Sequence, residues 1–520
     1  MPPRQKWDTR IGFAARMLVI ALAASCFSYT LYITLRYANQ IPLDIFAFRQ
    51  TQTALTAYWL GKNGFSLAYE TPMVGPPWSI PFELPVYQYI VTLTSEITGG
   101  SLNATGRNVS FLFLALCLVP VRAINDSLRL SRSVFYVFAI LLFSSPLYLY
   151  WGRAFLIETA ALFFSITAIK YFIDILVREA SFWRSLLFLL FISLSILQKA
   201  TTGLPVLGIL GVIYLIWNIR KANSIEELLS FRPIGLGIMY FGVPLGLGML
   251  WVSYTDQIKA LNGLGVSLTS AALTRWNWGD LSQRFSHDLF HDVIWERIFQ
   301  QNLSGLLGVG LLAVALASAT KTSVKLVILT SMVFGLLPLF LFTNLHLIHS
   351  YYQVAVVIFL VHALSVAVVQ IVENHSYGAV GLVVLCAALA GTNYWWFRHE
   401  FMNIVAAQYS SLNSRDYAVA EVLKSEVPQG KVFVAFGNDW DPSLTYLSER
   451  KSFTVPLFFK AYELIARNPE SFVPEGDLGA VVLCPVAKPT MADLERWAGD
   501  RHWKIREVSG CHIALPEKQP

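Results

Sequence analysis

The 520-residue chain is short of charge. Only 14% of its residues are Asp, Glu, Lys or Arg, against 55% hydrophobic and 14% aromatic, whereas a water-soluble domain carries roughly 25% charged residues. A chain this apolar is solvated by lipid over much of its length. Clustered basic residues are missing too: the net charge of +6 is dispersed along the chain, which excludes nucleic acid as a partner. There is no Cys-x-x-Cys pair and no His-rich metal spacing, no internal repeat and no low-complexity segment. The first apolar run, Ile11 to about Leu35, is too long for a signal-peptide core and no small-residue cleavage site ends it, so it reads as a retained span.

What is present is a series of apolar runs of about 20 residues, the length that crosses a bilayer. They fall near 12–35, 108–125, 133–151, 156–177, 185–198, 203–219, 234–254, 302–318, 325–342, 354–372 and 378–396, about eleven in all. An odd count puts the termini on opposite sides. With the N-terminus in the cytoplasm, the short inner loops hold Arg4, Lys6, Arg10, Arg16, Arg122, Arg129, Arg132, Arg178, Arg184, Arg220, Lys221, Arg232, Lys321 and Lys325, and the short outer turns hold only Arg153 and Lys199. That is the positive-inside bias, and it places the C-terminal region outside, in the periplasm of a bacterial cytoplasmic membrane.

The membrane part is expected over 1–396, with two long outer loops, 36–107 and 255–301. In the first, Pro72, Pro76, Pro77, Pro81 and Pro85 forbid a regular helix in the segment YETPMVGPPWSIPFELPVYQYI. From 397 to 520 the composition becomes that of a soluble domain. Helical SRDYAVAEVLKSEV, strands KVFVAF and SFTVPLF, helical KAYELIARN, strand GAVVLC, helical ADLERWAGD and strand WKIREVS alternate in an α/β pattern. Cys26, Cys117 and Cys386 lie in apolar runs, as small hydrophobes. Cys484 ends one probable strand and Cys511 lies in or beside another, so the two are expected to form a disulfide in an oxidising compartment.

Charge at a membrane surface needs a partner or a task, and here it gathers on the outer side. Asp44 opens PLDIFAFRQTQTALTAYWL either as an N-cap or as a carboxylate that takes a proton from an acceptor hydroxyl. Arg49 is a phosphate ligand or a snorkelling arginine. Glu70 and Glu83 flank the proline-rich segment. WGRAFLIE sets Arg153 and Glu158 at a short turn, as a self-satisfied ion pair or as a phosphate ligand and a sugar ligand. Lys199 in LQKATTG repeats the anion-binding theme. In NLHLIHSYYQ, His346 and His349 have the spacing of metal ligands without a third partner; as hydrogen-bond donors beside Tyr351 and Tyr352 they suit a phosphate or sugar. WNWGD and HDLFHD in the second loop would anchor at the interface or bind an acceptor. The spans themselves are nearly uncharged, which is not how a transporter places its binding groups.

Four features together resemble the GT-C glycosyltransferases, in particular the bacterial relatives of protein O-mannosyltransferase and of the lipid A aminoarabinose transferase. They are an acid-opened first loop continuing F-R-Q-T-Q-T-A, the W-x-x-P-F-E-x-P-x-Y-Q-Y segment, G-R-x-x-x-x-E at the second outer turn and H-x-Y-Y at a late one. The resemblance covers about 1–396. It implies an α-helical polytopic membrane protein of the GT-C fold, with a C-terminal α/β domain as a periplasmic cap. It further implies transfer of a sugar from a polyprenyl-phosphate-linked donor to an acceptor hydroxyl of a glycan, lipid or protein, with inversion on the outer face. The family's first-loop acid maps onto Asp44, where many relatives carry two adjacent acids and this chain has Asp44–Ile45. The base would be Asp44; Arg153, Lys199 and His349, with Arg49, would hold the departing phosphate, and Glu83 and Glu158 would orient sugar or acceptor. No cofactor is implied outright; some branches use a divalent cation and others none. An O-antigen polymerase or ligase would show a dominant arginine-rich outer loop, and a lipid-linked-sugar flippase would show intramembrane charges and related halves.

Overall fold

The computed structural model describes residues 10–373, 378–407 and 414–517; Arg4 and Lys6 of the basic N-terminus lie outside them. Eight helices among the described residues are long and apolar enough to cross a membrane: Gly12–Arg36, Leu102–Ser127, Glu158–Arg178, Ala200–Lys221, Ile225–Lys259, Thr322–Leu341, Ser350–Val372 and Gly378–Ala407. All eleven apolar runs are helical, but three fall short of a straight span. Arg132–Ser144 and Pro146–Arg153 reach that length only as a pair, bent by 63° at the break between them. The bend falls at Ser145, extended at φ −61° and ψ 125°, where Pro146 cannot continue the hydrogen-bond ladder. Phe182–Gln198 stops at Lys199, which is extended (φ −157°). Leu306–Ser318 starts later than its apolar run because Ser304 and Gly305 both take left-handed φ, 60° and 59°.

Two compact units divide the chain. The first comprises 1–38, 107–250 and 274–403 and holds most of the apolar helices. The second joins 39–106, 251–273 and 404–520, so the C-terminal α/β region shares a compact unit with most of the first long loop.

The α/β region is a five-stranded sheet in the order β2-β1-β3-β5-β4, formed by β1 Val432–Phe436, β2 Lys451–Val455, β3 Leu478–Leu483, β4 Trp503–Val508 and β5 Cys511–Pro516. β1 pairs in parallel with β2 and β3, and β5 runs antiparallel to β3 and β4. The sequence reading passed over the six-residue helix Ser443–Ser448 and β5. The first is too short for a periodic signal. The second follows β4 through Ser509–Gly510, whose φ values of 50° and 81° are those of a tight hairpin turn. Register explains the disulfide: Leu483 faces His512, so the next antiparallel pair is Cys484 and Cys511, which are bonded with Cα atoms 4.2 Å apart.

The proline-rich loop, without helix from Gly64 to Pro85, lies along the free edge of β2. Val74 bridges Phe453, Gly75 N–H donates to Ser452 O, and Ser452 and Thr454 donate to Pro72 O and Met73 O. Gly75 takes φ 79°, and a Cβ there would come within 3.1 Å of the Phe453 ring. The third segment is stitched in by Asn262, whose Nδ2 donates to the carbonyls of Val74, Gly75 and Pro77 while its Oδ1 accepts from Leu264 and Gly265 N–H.

Candidate functional site

In the second unit the opening stretch folds into the helix Ala47–Asn63, with Phe46 at the N-cap position in a left-handed conformation (φ 53°, ψ 45°) and no side-chain cap. Asp44 therefore does not occupy the cap position. Its Oδ1 accepts from Gln50 Nε2 at 2.6 Å, and the same amide donates to Ile45 O, so the helix's first turn reaches back to fix the carboxylate. One residue earlier, Arg49 donates to Gln52 Oε1 and forms an ion pair with Glu83 at 3.0 Å. Gln88 Nε2 holds the other Glu83 oxygen at 2.7 Å, and Tyr69 OH donates to the Glu83 carbonyl. Burial, then the Glu83 charge, raises the Tyr69 hydroxyl well above its usual range, so Tyr69 stays a donor. Glu70, by contrast, is spent on structure, bound to Lys451 and Asn63.

In the first unit three helix junctions converge. Arg153 ends the bent span, 1% exposed, 6.0 Å from the Tyr37 ring centroid and 5.9 Å from that of Tyr150. Glu158 is the first residue of its helix, where a carboxylate complements the positive helix end. It pairs with Lys199, which sits in the break between Phe182–Gln198 and Ala200–Lys221. Gly203 lets those two helices meet at the break, since a Cβ there would lie 2.6 Å from Ile196 N. Glu158 and Lys199 are 1% and 8% exposed. The Lys199 ammonium lies 3.7 Å from the Tyr352 ring centroid and 5.2 Å from that of Tyr351. His349 stacks on both tyrosines, and His346 meets Tyr352 edge-on at 6.0 Å. Burial, then the Lys199 charge, drives His346 down to about 3, so it is neutral at pH 7. Among the described residues, Glu158 Oε2 and His346 Nδ1 are buried without a hydrogen-bond partner.

Two features extend this set. A small apolar pocket is lined by Thr201 and Thr202, which follow Lys199 in the chain, and by Pro205, Ile209, Phe334 and Phe359. The second-loop segment 289–302 braces the junctions: Arg297 donates to the carbonyls of His346 and Leu347, and Asn302 Oδ1 accepts from Ser145 Oγ and Leu147 N–H at the bend of the broken span.

No protein-family model and no curated protein sequence matches the chain. Solved structures do. ArnT from Cupriavidus metallidurans bound to undecaprenyl phosphate matches with a TM-score of 0.62 at 11% identity, over 98% of this chain and 99% of that one. Its apo state gives 0.61 at 12%, over 96% and 98%. The archaeal oligosaccharyltransferase AglB from Archaeoglobus fulgidus, in complex with an inhibitory peptide and a dolichol-phosphate, gives 0.52 at 14%, over 89% and 69%. The chain has the GT-C fold.

Within this GT-C fold the residues singled out from sequence fall into two sets. Asp44, Arg49 and Glu83 belong to the second unit; Arg153, Glu158, Lys199, His346, His349, Tyr351 and Tyr352 belong to the first. The ion pair expected at the WGRAFLIE turn forms with a different cation, since Glu158 pairs with Lys199 rather than Arg153. Of the second-loop tryptophans, Trp276 reaches His349 at 6.1 Å and Trp278 packs on Phe342 at 4.8 Å. Sequence reasoning carried Gln88 only as a motif position and missed Tyr69, Asn262, Asn302 and the buried Arg107. Each is a polar residue in apolar or loop sequence, and a buried lone polar residue is the one signal that marks them.

Proposed function

We propose that the protein is a membrane glycosyltransferase that moves a sugar from a polyprenyl-phosphate-linked donor to an acceptor hydroxyl, with inversion, on the outer face of a bacterial cytoplasmic membrane. The observation that carries this reading is the Lys199 junction. A buried ammonium, a neutral histidine and two tyrosines stand together, and Thr201 and Thr202 of an apolar pocket follow that ammonium in the chain, with buried polar atoms of Glu158 and His346 left unpartnered. Leaving such atoms unpaired costs roughly 1–3 kcal/mol each, a cost that a ligand with a polar head and an apolar tail offsets. An isoprenoid phosphate has that form, and the ArnT and AglB structures contain one.

In the proposed reaction Asp44 takes the proton from the acceptor hydroxyl as its oxygen attacks the anomeric carbon from the face opposite the phosphate. The carbon–oxygen bond to the phosphate breaks, and the lipid phosphate leaves with both electrons of that bond. Lys199 and Arg153 supply positive charge to the phosphate. His346 and His349 supply hydrogen bonds, and His346, being neutral, adds no charge. Glu158 releases Lys199 as the phosphate arrives and turns to the sugar. Glu83 orients Arg49. Inner-shell hydrogen bonds of this kind stabilise charge where it develops in the transition state.

The test is mass analysis of lipid-linked sugars and envelope glycans in a strain lacking the gene. One sugar should be missing from an envelope glycan, lipid or protein while its polyprenyl-phosphate form accumulates. Unchanged pools of both would overturn the reading.

A further inference from the structure

Outside both residue sets, the second loop carries a feature that the transferase reading leaves unused. HDLFHDVIWERIFQ winds into a twelve-residue π-helix, Leu289–Gln300. Its i→i+5 bonding widens the turn beyond the 3.6 residues of an α-helix, so side chains four and five positions apart share one line. His287, two residues before this helix, comes together with His291 and Asp292, one donor atom of each lying within 4.8 Å of the others. The two imidazoles stack at 4.8 Å and 18°. Asp292 Oδ1 lies 2.9 Å from His291 Nδ1, and Glu296 Oε1 lies 3.9 Å from it.

We propose that His287, His291 and Asp292 form a binding site for a divalent cation of the zinc class. Two imidazole nitrogens and a carboxylate oxygen are a donor set for zinc and its borderline neighbours rather than for calcium or magnesium, which take oxygens. A tetrahedral ion with bonds of about 2.0–2.1 Å sets its ligands roughly 3.3 Å apart. The three donors are therefore about 1.5 Å from closing on an ion, a shift that exposed side chains make by small rotations. Two histidines stacked face to face and half-exposed to water gain little from each other when neutral and repel when charged; a shared cation gives the pairing a purpose. Glu296 is placed to accept from a water in the fourth position.

The site has a structural consequence. The same helix carries Arg297, which holds the carbonyls of His346 and Leu347, and ends at Asn302, which holds the bend at Ser145. A cation at its start would fix a brace that positions two of the three junctions in the first unit. This assignment stands whether or not the transferase reading does.

The test uses tag-free, EDTA-treated full-length protein in detergent. Titration with Co²⁺, read by its visible absorption, and with Zn²⁺, read by calorimetry, should show one saturable equivalent. The affinity should fall at least tenfold in His287→Ala/His291→Ala and should be retained in a His512→Gln control. Zn²⁺ should raise the melting temperature of the wild type and not of the double variant. Asp292→Asn, which leaves both histidines in place, should weaken Co²⁺ binding and alter its spectrum, so the assignment stays testable if the double variant is unstable. Absence of saturable binding in the wild type would overturn the site, as would equal binding by wild type and the histidine variants.

Discussion

Phe46 decides what Asp44 can be. By taking the left-handed N-cap position, it leaves Asp44 two residues outside the helix, bound by Gln50. Asparagine at 44 keeps an oxygen for Gln50 and removes only the charge, so Asp44→Asn separates base from scaffold. We expect turnover to fall by roughly 10²–10⁴, with donor affinity changed much less because Asp44 is not among the phosphate's proposed ligands. Near-wild-type turnover in folded protein would remove Asp44 from the mechanism. His346 carries a second expectation. Its folded value of about 3 lies below the ordinary 6.5, so between those pH values the unfolded chain binds the proton that the folded one refuses. Stability is then full above 6.5 and is lost as pH falls. From pH 7 to pH 5 the loss is roughly 2 kcal/mol from this residue. His346→Gln should flatten that part of the pH dependence of the melting temperature, and an unchanged slope would show that other groups dominate. At this scale the sequence carried residue types but not partners. WGRAFLIE, LQKATTG and NLHLIHSYYQ do come together, yet Glu158 meets Lys199 because of the register in which two helix junctions pack, and no local pattern encodes that register.

Among the elements, the segment 289–302 matters most. Asn302 is 2% exposed and joins three points: its oxygen takes Ser145 Oγ–H and Leu147 N–H, and its amide donates to Arg297 O. Leucine there would fill similar volume and leave those groups buried without partners. We expect Asn302→Leu to destabilise the fold by roughly 2–5 kcal/mol and to loosen Arg153 and His346 together, read as a lower melting temperature and as faster hydrogen exchange at 145–153 and 343–352. A loss confined to one of the two segments would contradict the brace. The apolar runs were legible as helices because hydrophobic length is a strong signal. The π-helix was not, since periodicity is read at 3.6 residues and an i→i+5 winding shows no peak there. Nor was the pairing of the proline-rich loop with β2, whose backbone hydrogen bonds leave no pattern in the sequence.

For the whole molecule the parity of the crossing number fixes the side of the C-terminal region. Among the described residues eight helices pass by length and composition, nine with the bent pair, and Phe182–Gln198 and Leu306–Ser318 bring the total to eleven. At 1.5 Å per residue the thirteen-residue helix reaches about 20 Å, short of a hydrocarbon core of about 30 Å, so length alone argues against counting it. The cations argue the other way. With eleven crossings, Arg122, Arg129, Arg132, Arg178, Arg184, Arg220, Lys221, Lys321 and Lys325 all fall on the inner side, whereas Arg153 and Lys199 fall on the outer side and are buried, hence not part of a charged surface. The Cys484–Cys511 bond points the same way, because disulfides persist in the periplasm and not in the cytosol. We therefore expect a reporter fused after Trp396 to be active as a periplasmic enzyme and inactive as a cytoplasmic fluorophore. The opposite pair of signals would mean an even number of crossings, and it would put the C-terminal region in the cytoplasm, against its reading as a periplasmic cap.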